Sequence, residues 1–502
     1  MSRTARERLF VLGLTSLVYG RVARNPFWAD DYTWLARSAA ALRDLTLPFT
    51  AVFGRDYNPL AYLGFAINYA LFDRLAVAWH AVDIAIHLGC VGLVDVLARR
   101  LTGDGLVAFL ASLAFGIHVA VSEPVLWSAA RVHSLMLLFL LGAAIADVSP
   151  PLRGRALASP LLFAIALNVK ETAIGYALLA PVLAVIARAR RVPSPIRLRP
   201  AIPAIALIYG ALRWLFSPTE HLVHSVGGTT ASVMVKKLAL TIAAFTGSDM
   251  VMPDRMAIAL LPIGAVLVLG FVPRDPRFAY GALFAVVLAA PYLPAPRQSS
   301  RYCYAAWPGL AILFALVAAR LLRRGLPVRW ATIGGLLLLG AWSIAAIQVE
   351  IDDYARLGAA CDRLLDAFEP LSRQLEARVA RDGPYPVVFL DAASSPLATV
   401  VPALEGRPKL VAYRRRGVSG LITFEDMMNI HFGAHRAAFF EVTDGPAAAS
   451  GIPATMIGYR GLDAIEVIEE PVSPEIAARL EKPGETVTVG RVVRWRELAA
   501  PR

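Results

Sequence analysis

The feature that most constrains the fold of this chain is a series of apolar segments separated by short basic clusters. A helix that crosses a bilayer needs about 20 mostly apolar residues, and most of these segments approach that length. Of the 502 residues, 57% are hydrophobic and only 18% are charged, whereas about a quarter of the residues of a soluble domain are charged. The sequence therefore predicts a polytopic α-helical membrane protein.

The net charge of +12 does not indicate a nucleic-acid partner. The arginines recur in small groups between apolar segments and do not form one stripe or tail. The cysteines Cys90, Cys303 and Cys361 have neither the even number of a disulfide framework nor the spacing of metal ligands. Membrane lipids are thus the predicted surroundings of the chain, and no nucleic acid is expected.

The distribution of Lys and Arg predicts the orientation, because cytoplasmic loops carry an excess of both. Arg3, Arg6 and Arg8 precede the first apolar segment and predict a cytoplasmic N-terminus, most naturally in a bacterial inner or plasma membrane. An alternative interpretation of this segment, a cleaved signal peptide, lacks a clear small-x-small cleavage site. Asp30 and Asp31 follow the segment and are therefore expected outside.

The first external loop, residues 24–58, is too polar to span the membrane. Within it, Trp34, Leu35, Leu42 and Leu45 recur at helical spacing among charged residues, as in a helix lying at the membrane surface. Residues 59–72 form a second short apolar segment, which we interpret as interfacial or partly inserted. The acidic pair is therefore expected close to lipid headgroups.

The same rule predicts about eleven spans and an external C-terminus. The segment 235–250 begins with two lysines and ends near two aspartates, and we interpret it as a partial insertion. That interpretation leaves Arg274 and Arg277 on the cytoplasmic side. The predicted spans after the first lie near 79–98, 105–122, 132–147, 157–169, 172–188, 200–216, 256–272, 278–293, 305–323 and 328–347.

The composition becomes that of a soluble domain from about Glu350. Apolar residues between Leu357 and Val379 recur with helical spacing, and a Gly-Pro-Tyr-Pro turn follows. We predict a transmembrane domain over 1–349 and an extracytoplasmic α/β domain over 350–502. Strands are predicted at Val387 to Leu390, Leu410 to Tyr413, Phe439 to Val442, Ile465 to Ile468 and Thr486 to Val489.

Four polar groups stand at or beside predicted span ends, where ionisable side chains are costly unless they are paired or functional. The predicted topology places all four on the external side. They are Asp30 with Asp31; His118 with Glu123 and Arg131; Lys170 with Glu171; and Arg297 with Arg301 and Tyr302.

These residue types suit transfer of a group from a lipid phosphate. Adjacent carboxylates repel each other, which prepares one of them to accept a proton, and carboxylates can also hold Mg²⁺ or Mn²⁺. Arginine binds phosphate through a planar fork and lysine through a point charge. A purely structural interpretation is an alternative for these groups. Asp30-Asp31 would then be part of a solvated loop, His118 a packing residue and Lys170-Glu171 an interfacial ion pair.

The order of the motifs resembles that of the GT-C superfamily, multispanning glycosyltransferases that use polyprenyl-phosphate sugars. The chain is most similar to the transmembrane mannosyltransferases that carry tetratricopeptide repeats, across roughly residues 10–325. Asp30-Asp31 resembles the acidic pair of the first external loop, and residues 115–131 resemble the pattern F-x-x-H-P-x-x-x-E-x-V-x-W-x-x-x-R. Lys170-Glu171 resembles the Lys-Glu pair of these enzymes, and residues 301–304 resemble their Arg-Tyr-x-Tyr element.

The resemblance implies a GT-C-like fold and an inverting transfer of a hexosyl or pentosyl group to a glycan, lipid or protein hydroxyl. It implies Asp30 or Asp31 as base or metal-facing acid, and Arg131, Lys170 and Arg301 as contacts of the donor phosphate. The C-terminal domain would cover or orient the acceptor.

The chain departs from the pattern in three respects. Val119 replaces the proline after the histidine, His133 stands where an acid often follows the arginine, and the repeats are absent. A catalytically silent assembly partner is therefore an alternative. A lipid or solute transporter is a second alternative, which predicts charges in the middle of spans and an internal repeat.

Overall fold

The computed structural model describes residues 2–28, 30–50, 57–149, 157–191, 194, 196–216, 275–292, 300–382, 387–390, 439–442, 452–461 and 464–472. The predicted segments 235–250 and 256–272 lie outside these ranges, as does Arg297. The chain divides into two compact units. The first comprises Met1–Arg24 and Ala41–Ile351, and the second comprises Asn25–Ala40 and Asp352–Arg502.

Helices make up most of the described chain. Short 3₁₀ helices occupy Gly20–Arg24, Val119–Val121, Ser128–Ala130, Glu171–Leu178 and Ala290–Tyr292. The α-helices are α1 (Arg3–Tyr19), α2 (Asp30–Arg43), α3 (Leu47–Thr50), α4 (Pro59–Phe72), α5 (Ala76–Thr102), α6 (Gly105–Ile117), α7 (Glu123–Leu126), α8 (Arg131–Val148), α9 (Ala158–Val169), α10 (Leu179–Arg190), α11 (Ala201–Phe216), α12 (Pro276–Ala289), α13 (Ser300–Cys303), α14 (Trp307–Leu322) and α15 (Leu326–Asp382).

Local sequence signals set several helix ends. The Ser2 hydroxyl accepts a hydrogen bond from the Ala5 N–H at 3.2 Å and caps α1. Asp104 caps α6 by accepting from the Leu106 N–H at 3.0 Å. Gly103 ends α5 with a φ of +67°, a left-handed conformation that glycine adopts without strain. These residues therefore set the starts of α1 and α6 and the end of α5.

Four stretches of the described chain are long and apolar enough to cross a membrane: Ala76–Thr102, Ser128–Val148, Glu171–Ala189 and Leu326–Ala359. Shorter apolar helices accompany them at Pro59–Phe72, Gly105–Ile117, Ala158–Val169, Ala201–Arg213 and Trp307–Leu322. The chain is an integral membrane protein. The total of about eleven spans stays a prediction.

The core of the first unit is built from α5, α6, α8, α12 and α14. Helix α5 packs against α6 and α8, and α14 packs against α6 and α12. The side chains of Trp79, Phe115, Tyr280 and Phe284 are fully buried there. These contacts hold the connections after α6 and before α14 in fixed positions, and those connections carry most of the candidate site.

Arginine–aspartate pairs lie at helix ends that the predicted topology puts on the cytoplasmic side. The Arg8 Nε lies 2.7 Å from Asp95, and the Arg199 Nε lies 2.7 Å from Asp147. Asp104 forms an ion pair with Arg323. The basic clusters therefore do more than orient the chain, because several of their arginines also join neighbouring helices.

Two glycines allow α12 and α14 to approach closely. A Cβ atom placed on Gly309 would overlap the carbonyl oxygen of Gly281, and one on Gly281 would lie 2.8 Å from the carbonyl oxygen of Gly309. Small residues at such contacts let helix backbones pack tightly inside membranes. Both positions therefore exclude any side chain unless the helices separate.

We expect Gly309→Ala to lower the free energy of unfolding by about 1–3 kcal/mol, the usual cost of forcing an extra carbon into a packed contact. Thermal unfolding of the purified protein in detergent measures this. Gly334→Ala on α15 is the matched control, since a Cβ there meets no atom within 4 Å and the higher helix propensity of alanine should keep or slightly raise the unfolding temperature. Equal unfolding temperatures for both variants would contradict the packing account.

Helix α15 extends from Leu326 to Asp382, where the sequence predicts a span at 328–347 and a separate helix after 357. The change in composition at Glu350 therefore occurs inside a continuous helix. In the second unit, Trp28 packs edge-on against Tyr354 with ring centres 5.3 Å apart. Gly358 lies against Pro26, so closely that a Cβ there would be 2.7 Å from the Pro26 carbonyl oxygen.

The described strands of the second unit form one sheet with the order β2-β1-β3-β4. The strands are β1 (Val387–Leu390), β2 (Phe439–Val442), β3 (Ile452–Gly461) and β4 (Ala464–Val472). β1 pairs in parallel with β2, Val387 opposite Phe439, and with β3, whereas β3 and β4 pair antiparallel. The predicted strands at 410–413 and 486–489 lie outside the described residues, and the α/β domain as a whole stays a prediction.

Candidate active site

The centre of the candidate site is the buried carboxylate of Glu123, the first residue of α7. Its Oε2 accepts hydrogen bonds from the Ser300 hydroxyl at 2.8 Å and from the Arg301 backbone N–H at 2.9 Å. Its Oε1 accepts from the Arg301 Nη1 at 3.1 Å. Glu123 therefore joins α7 to α13 and fixes both the backbone and the guanidinium of Arg301.

Aromatic rings flank the same guanidinium. The Arg301 Cζ lies 4.9 Å from the ring centre of Trp127 and 5.2 Å from that of Tyr302. Tyr302 in turn stacks on Tyr292, with ring centres 4.7 Å apart and planes inclined by 13°. Contacts of this kind orient a cation through the electron-rich ring faces. Arg301 is thus held in one orientation by a carboxylate and by aromatic contacts.

The hydroxyl of Tyr292 connects this cluster to two more elements. It hydrogen-bonds to His133 Nδ1 at 3.0 Å and to Thr172 Oγ1 at 2.6 Å. The charges of Lys170, Arg301 and Glu123 all act on His133. The first unit therefore brings together four residues singled out at separate points of the sequence: Glu123, His133, Lys170 and Arg301.

Lys170 follows α9, and its Nζ lies 3.5 Å from the Glu171 Oε1. The Lys170 side chain is only 11% exposed, and that of Glu171 is 27% exposed. When the Asn58 amide is oriented with its nitrogen toward Glu171, that nitrogen donates to Glu171 Oε2 at 3.0 Å. Lys170 and Glu171 thus form an ion pair between adjacent residues. Glu171 also accepts a hydrogen bond from Asn58, in the segment before α4.

Arg131 lies deeper in the unit and has structural partners. Its Nε donates to Asp83 on α5, and its Nη2 donates to the Trp79 carbonyl oxygen at 2.8 Å. Asp83 also accepts from the Ser128 hydroxyl at 2.6 Å. The Arg131 guanidinium lies over the rings of Phe65 and Trp79. Its side chain is 5% exposed, so Arg131 anchors the start of α8 to α5.

We expect Asp83→Asn to lower the free energy of unfolding by about 3–5 kcal/mol, because it leaves the Arg131 charge buried without its carboxylate. The double variant Asp83→Asn with Arg131→Met should recover much of that loss. Thermal unfolding in detergent measures both variants.

Asp104→Asn is the control for this experiment. It breaks a pair whose arginine, Arg323, is 57% exposed, and surface pairs contribute about 0–1 kcal/mol. A loss for Asp83→Asn no larger than that of the control would contradict the anchoring role of the buried pair.

The segment between α6 and α7 is tied to α15 at two points. The Ser343 hydroxyl accepts from the Val119 N–H at 2.8 Å, and the Ser122 hydroxyl donates to Glu350. His118 Nδ1 accepts from the Ala120 N–H at 3.1 Å, and its ring centre lies 4.0 Å from that of Trp307. His118 therefore shapes the segment that presents Glu123.

The acidic pair belongs to the second unit, where it forms the first turn of α2. The buried Asp31 carboxylate accepts from the Trp28 N–H at 3.1 Å, and the Asp31 N–H donates to the Trp28 carbonyl oxygen at the same distance. This reciprocal arrangement closes the helix start in the manner of a capping box. Asp31 is 1% exposed, whereas Asp30 is only partly buried. The two carboxylates thus have different surroundings.

Several residues of the cluster were not singled out from the sequence. Asp83 had a usable signal, since an acid inside an apolar segment is costly unless it is paired. Ser300 and Tyr292 carried none, because their types are common near helix ends. Among the described residues, no group of three or more His, Cys, Asp or Glu side chains is placed to hold a metal ion.

Comparison with known proteins gives short matches in sequence to two of them, and no family model matches the chain. Protein O-mannosyl-transferase TMTC2 from Mus musculus is 32% identical over 71 residues. The human protein of that name gives the same values. The match spans 14% of this chain and 8% of the mouse protein.

Solved structures match over most of the chain. ArnT from Cupriavidus metallidurans in the apo state has a TM-score of 0.51 at 13% identity and covers 91% of this chain and 94% of its own. The same protein bound to undecaprenyl phosphate has a TM-score of 0.49 at 14% identity and covers 98% and 97%. The likeness to apo ArnT confirms, at the level of fold, the resemblance that the motifs indicate: the chain has the GT-C fold.

Proposed function

We propose that the protein is a membrane glycosyltransferase that moves a sugar, hexosyl or pentosyl, from a polyprenyl-phosphate donor to an acceptor hydroxyl. Transfer takes place on the extracytoplasmic face and inverts the anomeric configuration. The GT-C fold, the ordered motifs and the short match to an O-mannosyl-transferase support this function. The expected location is a bacterial inner or plasma membrane, with the N-terminus cytoplasmic and the C-terminal domain outside.

The observation that carries the proposal is the fixed guanidinium of Arg301. Glu123 holds it through a hydrogen bond at 3.1 Å, and Trp127 and Tyr302 flank it. Negative charge develops on the donor phosphate as its bond to the sugar breaks. A cation that is already oriented stabilises that charge without reorganising during the reaction. Lys170, in the same cluster, adds a second positive charge for the phosphate.

The proposed reaction is a single displacement. The acceptor oxygen attacks the anomeric carbon while the bond from that carbon to the phosphate oxygen breaks, and the electron pair leaves with the phosphate. The acceptor hydroxyl gives its proton to Asp30. We assign the base to Asp30 because the Asp31 carboxylate is buried and already accepts the Trp28 N–H. In this assignment Asp31 positions the helix start.

The acceptor is a glycan, lipid or protein hydroxyl, and the C-terminal domain covers or orients it. The silent assembly partner is the second candidate, and His133 favours it, because that residue stands where an acid is often found. His133 is hydrogen-bonded to Tyr292, so it contributes to the structure of the cluster.

The test is to incubate the purified protein, in lipid nanodiscs with a bacterial envelope extract as acceptor, with a panel of hexosyl and pentosyl polyprenyl phosphates. We expect one donor to be consumed and polyprenyl phosphate to be released, with the opposite anomer in the product by NMR. A silent partner or a transporter consumes no donor. Indifference to every donor would overturn the proposal.

A further inference from the structure

The Lys170-Glu171 pair has a third partner that the motifs did not indicate, Arg213 on α11. Helix α11 packs against α9 and against the 3₁₀ helix that begins at Glu171. The Arg213 Nη1 donates to the Tyr209 hydroxyl at 3.3 Å, which directs the guanidinium along the helix surface. The charges of Lys170 and Arg213 both act on the Glu171 carboxylate. Two cations from different elements therefore flank one acid.

The Tyr209 hydroxyl lies near the same three charged residues. The charges of Arg213, Glu171 and Lys170 all act on it. Glu171 is the acid of this group, with Lys170 Nζ at 3.5 Å from one of its oxygens and the Asn58 amide at 3.0 Å from the other. Two positive charges and one negative charge leave a net charge of +1. The Glu171 carboxylate thus lies among two cations, Lys170 and Arg213, and one hydrogen-bond donor, Asn58.

The position lies beside an apolar helix surface. On α11, Leu207 is 75% exposed, Ile208 is 60% exposed and Leu212, next to Arg213, is 50% exposed. Exposed leucine and isoleucine on an apolar helix of a membrane protein are suited to contact with hydrocarbon chains. A ligand that carries a phosphate on a long apolar chain would meet both surfaces at once, the chain along α11 and the phosphate at its end.

We propose that Glu171 occupies, in the substrate-free protein, the anion position between Lys170 and Arg213 that the phosphate of a polyprenyl-phosphate ligand takes on binding. Arg213 is then a further donor-binding residue, and Glu171 is a carboxylate that the phosphate displaces. The identity of the ligand rests on the proposed function. Carboxylate and phosphate bind the same cations, but the phosphate brings more oxygen acceptors and more negative charge. Without Glu171, the charges of Lys170 and Arg213 would lack this carboxylate between them when no ligand is bound, which is costly for partly buried cations.

The test measures binding alone. Purified protein in nanodiscs is titrated with a polyprenyl monophosphate that carries no sugar, and the dissociation constant is obtained from intrinsic tryptophan fluorescence. Arg213→Gln should weaken binding about tenfold, and Arg213→Lys by less, because a lysine keeps the charge but not the fork. Glu171→Gln should have the opposite effect and tighten binding several-fold. It removes the charge that competes with the phosphate, but its side-chain oxygen can still accept from Asn58.

Arg277→Gln is the matched control, since Arg277 is 46% exposed and lies 4.0 Å from Asp275, outside the cluster. Its dissociation constant should equal that of the wild type. Inorganic phosphate at the same concentrations should not compete, because it lacks the apolar chain. If Arg213→Gln unfolds, Arg213→Lys and Glu171→Gln still test the proposal, with thermal unfolding as the check.

Two results would overturn this inference: wild-type affinity in Arg213→Gln, or weaker binding in Glu171→Gln. Failure of the proposed function looks different. In that case the protein binds the lipid phosphate with the expected changes in the variants, but it consumes no sugar donor. If the protein transfers sugar but Arg213→Gln binds the lipid phosphate as tightly as the wild type, the proposed function is supported and the role of Arg213 is contradicted.

Discussion

Replacing Asp30 with Asn should lower the rate constant of sugar transfer by about 10²- to 10⁴-fold, the contribution of a positioned general base. Asparagine keeps the size of the side chain and its place in the first turn of α2, but its amide cannot take the proton of the acceptor hydroxyl. The measurement is single-turnover transfer from the polyprenyl-phosphate sugar that the wild type consumes. Thermal unfolding of the variant confirms that the protein is folded.

Asp31→Asn is the matched control for this prediction. Its side-chain oxygen can still accept the Trp28 N–H that Asp31 accepts at 3.1 Å. The weaker hydrogen bond of a neutral acceptor costs about 1 kcal/mol, so we expect the transfer rate to stay within about tenfold of the wild type. Equal losses in the two variants, or wild-type rates in both, would contradict the assignment of the base to Asp30.

Replacing Arg301 with Gln should reduce kcat/KM for the donor by about 10²- to 10³-fold, as expected when one oriented charge contact of a transition state is lost. Arg301→Lys should recover only part of the activity, because lysine lacks the planar fork that Glu123 orients. Glu123→Gln should have a smaller effect of the same kind, since the guanidinium stays in place but is held less firmly. Transfer kinetics over a range of donor concentrations measure all three variants.

The control for Arg301 is Arg320→Gln, which removes an exposed arginine paired with Asp275 at 3.0 Å. Its kinetics should match the wild type, since surface pairs of this kind contribute little. Wild-type kcat/KM in Arg301→Gln would remove Arg301 from the site. A loss that follows the unfolding temperature of each variant would show a structural effect in place of a catalytic one.

Periodicity and the positive-inside rule predicted most helices of the first unit, because apolar length and basic flanks are properties of local sequence. The predicted segment 59–72 is α4, and the predicted span at 132–147 is α8. Local patterns did not predict that residues 171–178 form a 3₁₀ helix, nor that α15 continues past Glu350. Apolar periodicity does not distinguish a 3₁₀ turn from an α-helical one, and it does not show whether two helical segments are joined.

For the site, the sequence predicts that its residues lie on one side of the membrane, but it could not assign their partners. Glu123 and Arg301 are 178 positions apart, and nothing in the local pattern of either residue indicates the other. Arg131 resembled a phosphate contact, but its nearest acid is Asp83, 48 positions earlier on α5. Pairing between distant residues is a property of tertiary packing. The motifs therefore indicated the cluster, and only the structure separates anchoring residues from those suited to bind phosphate.

The most direct measurement of the central claim is a structure of the protein in nanodiscs with a polyprenyl-phosphate sugar bound. The account predicts the donor phosphate within hydrogen-bonding distance of the Arg301 guanidinium and the Lys170 ammonium, with Glu123 still holding Arg301. A phosphate bound away from both cations, or an Arg301 that remains engaged only with Glu123 while the donor is bound elsewhere, would contradict it.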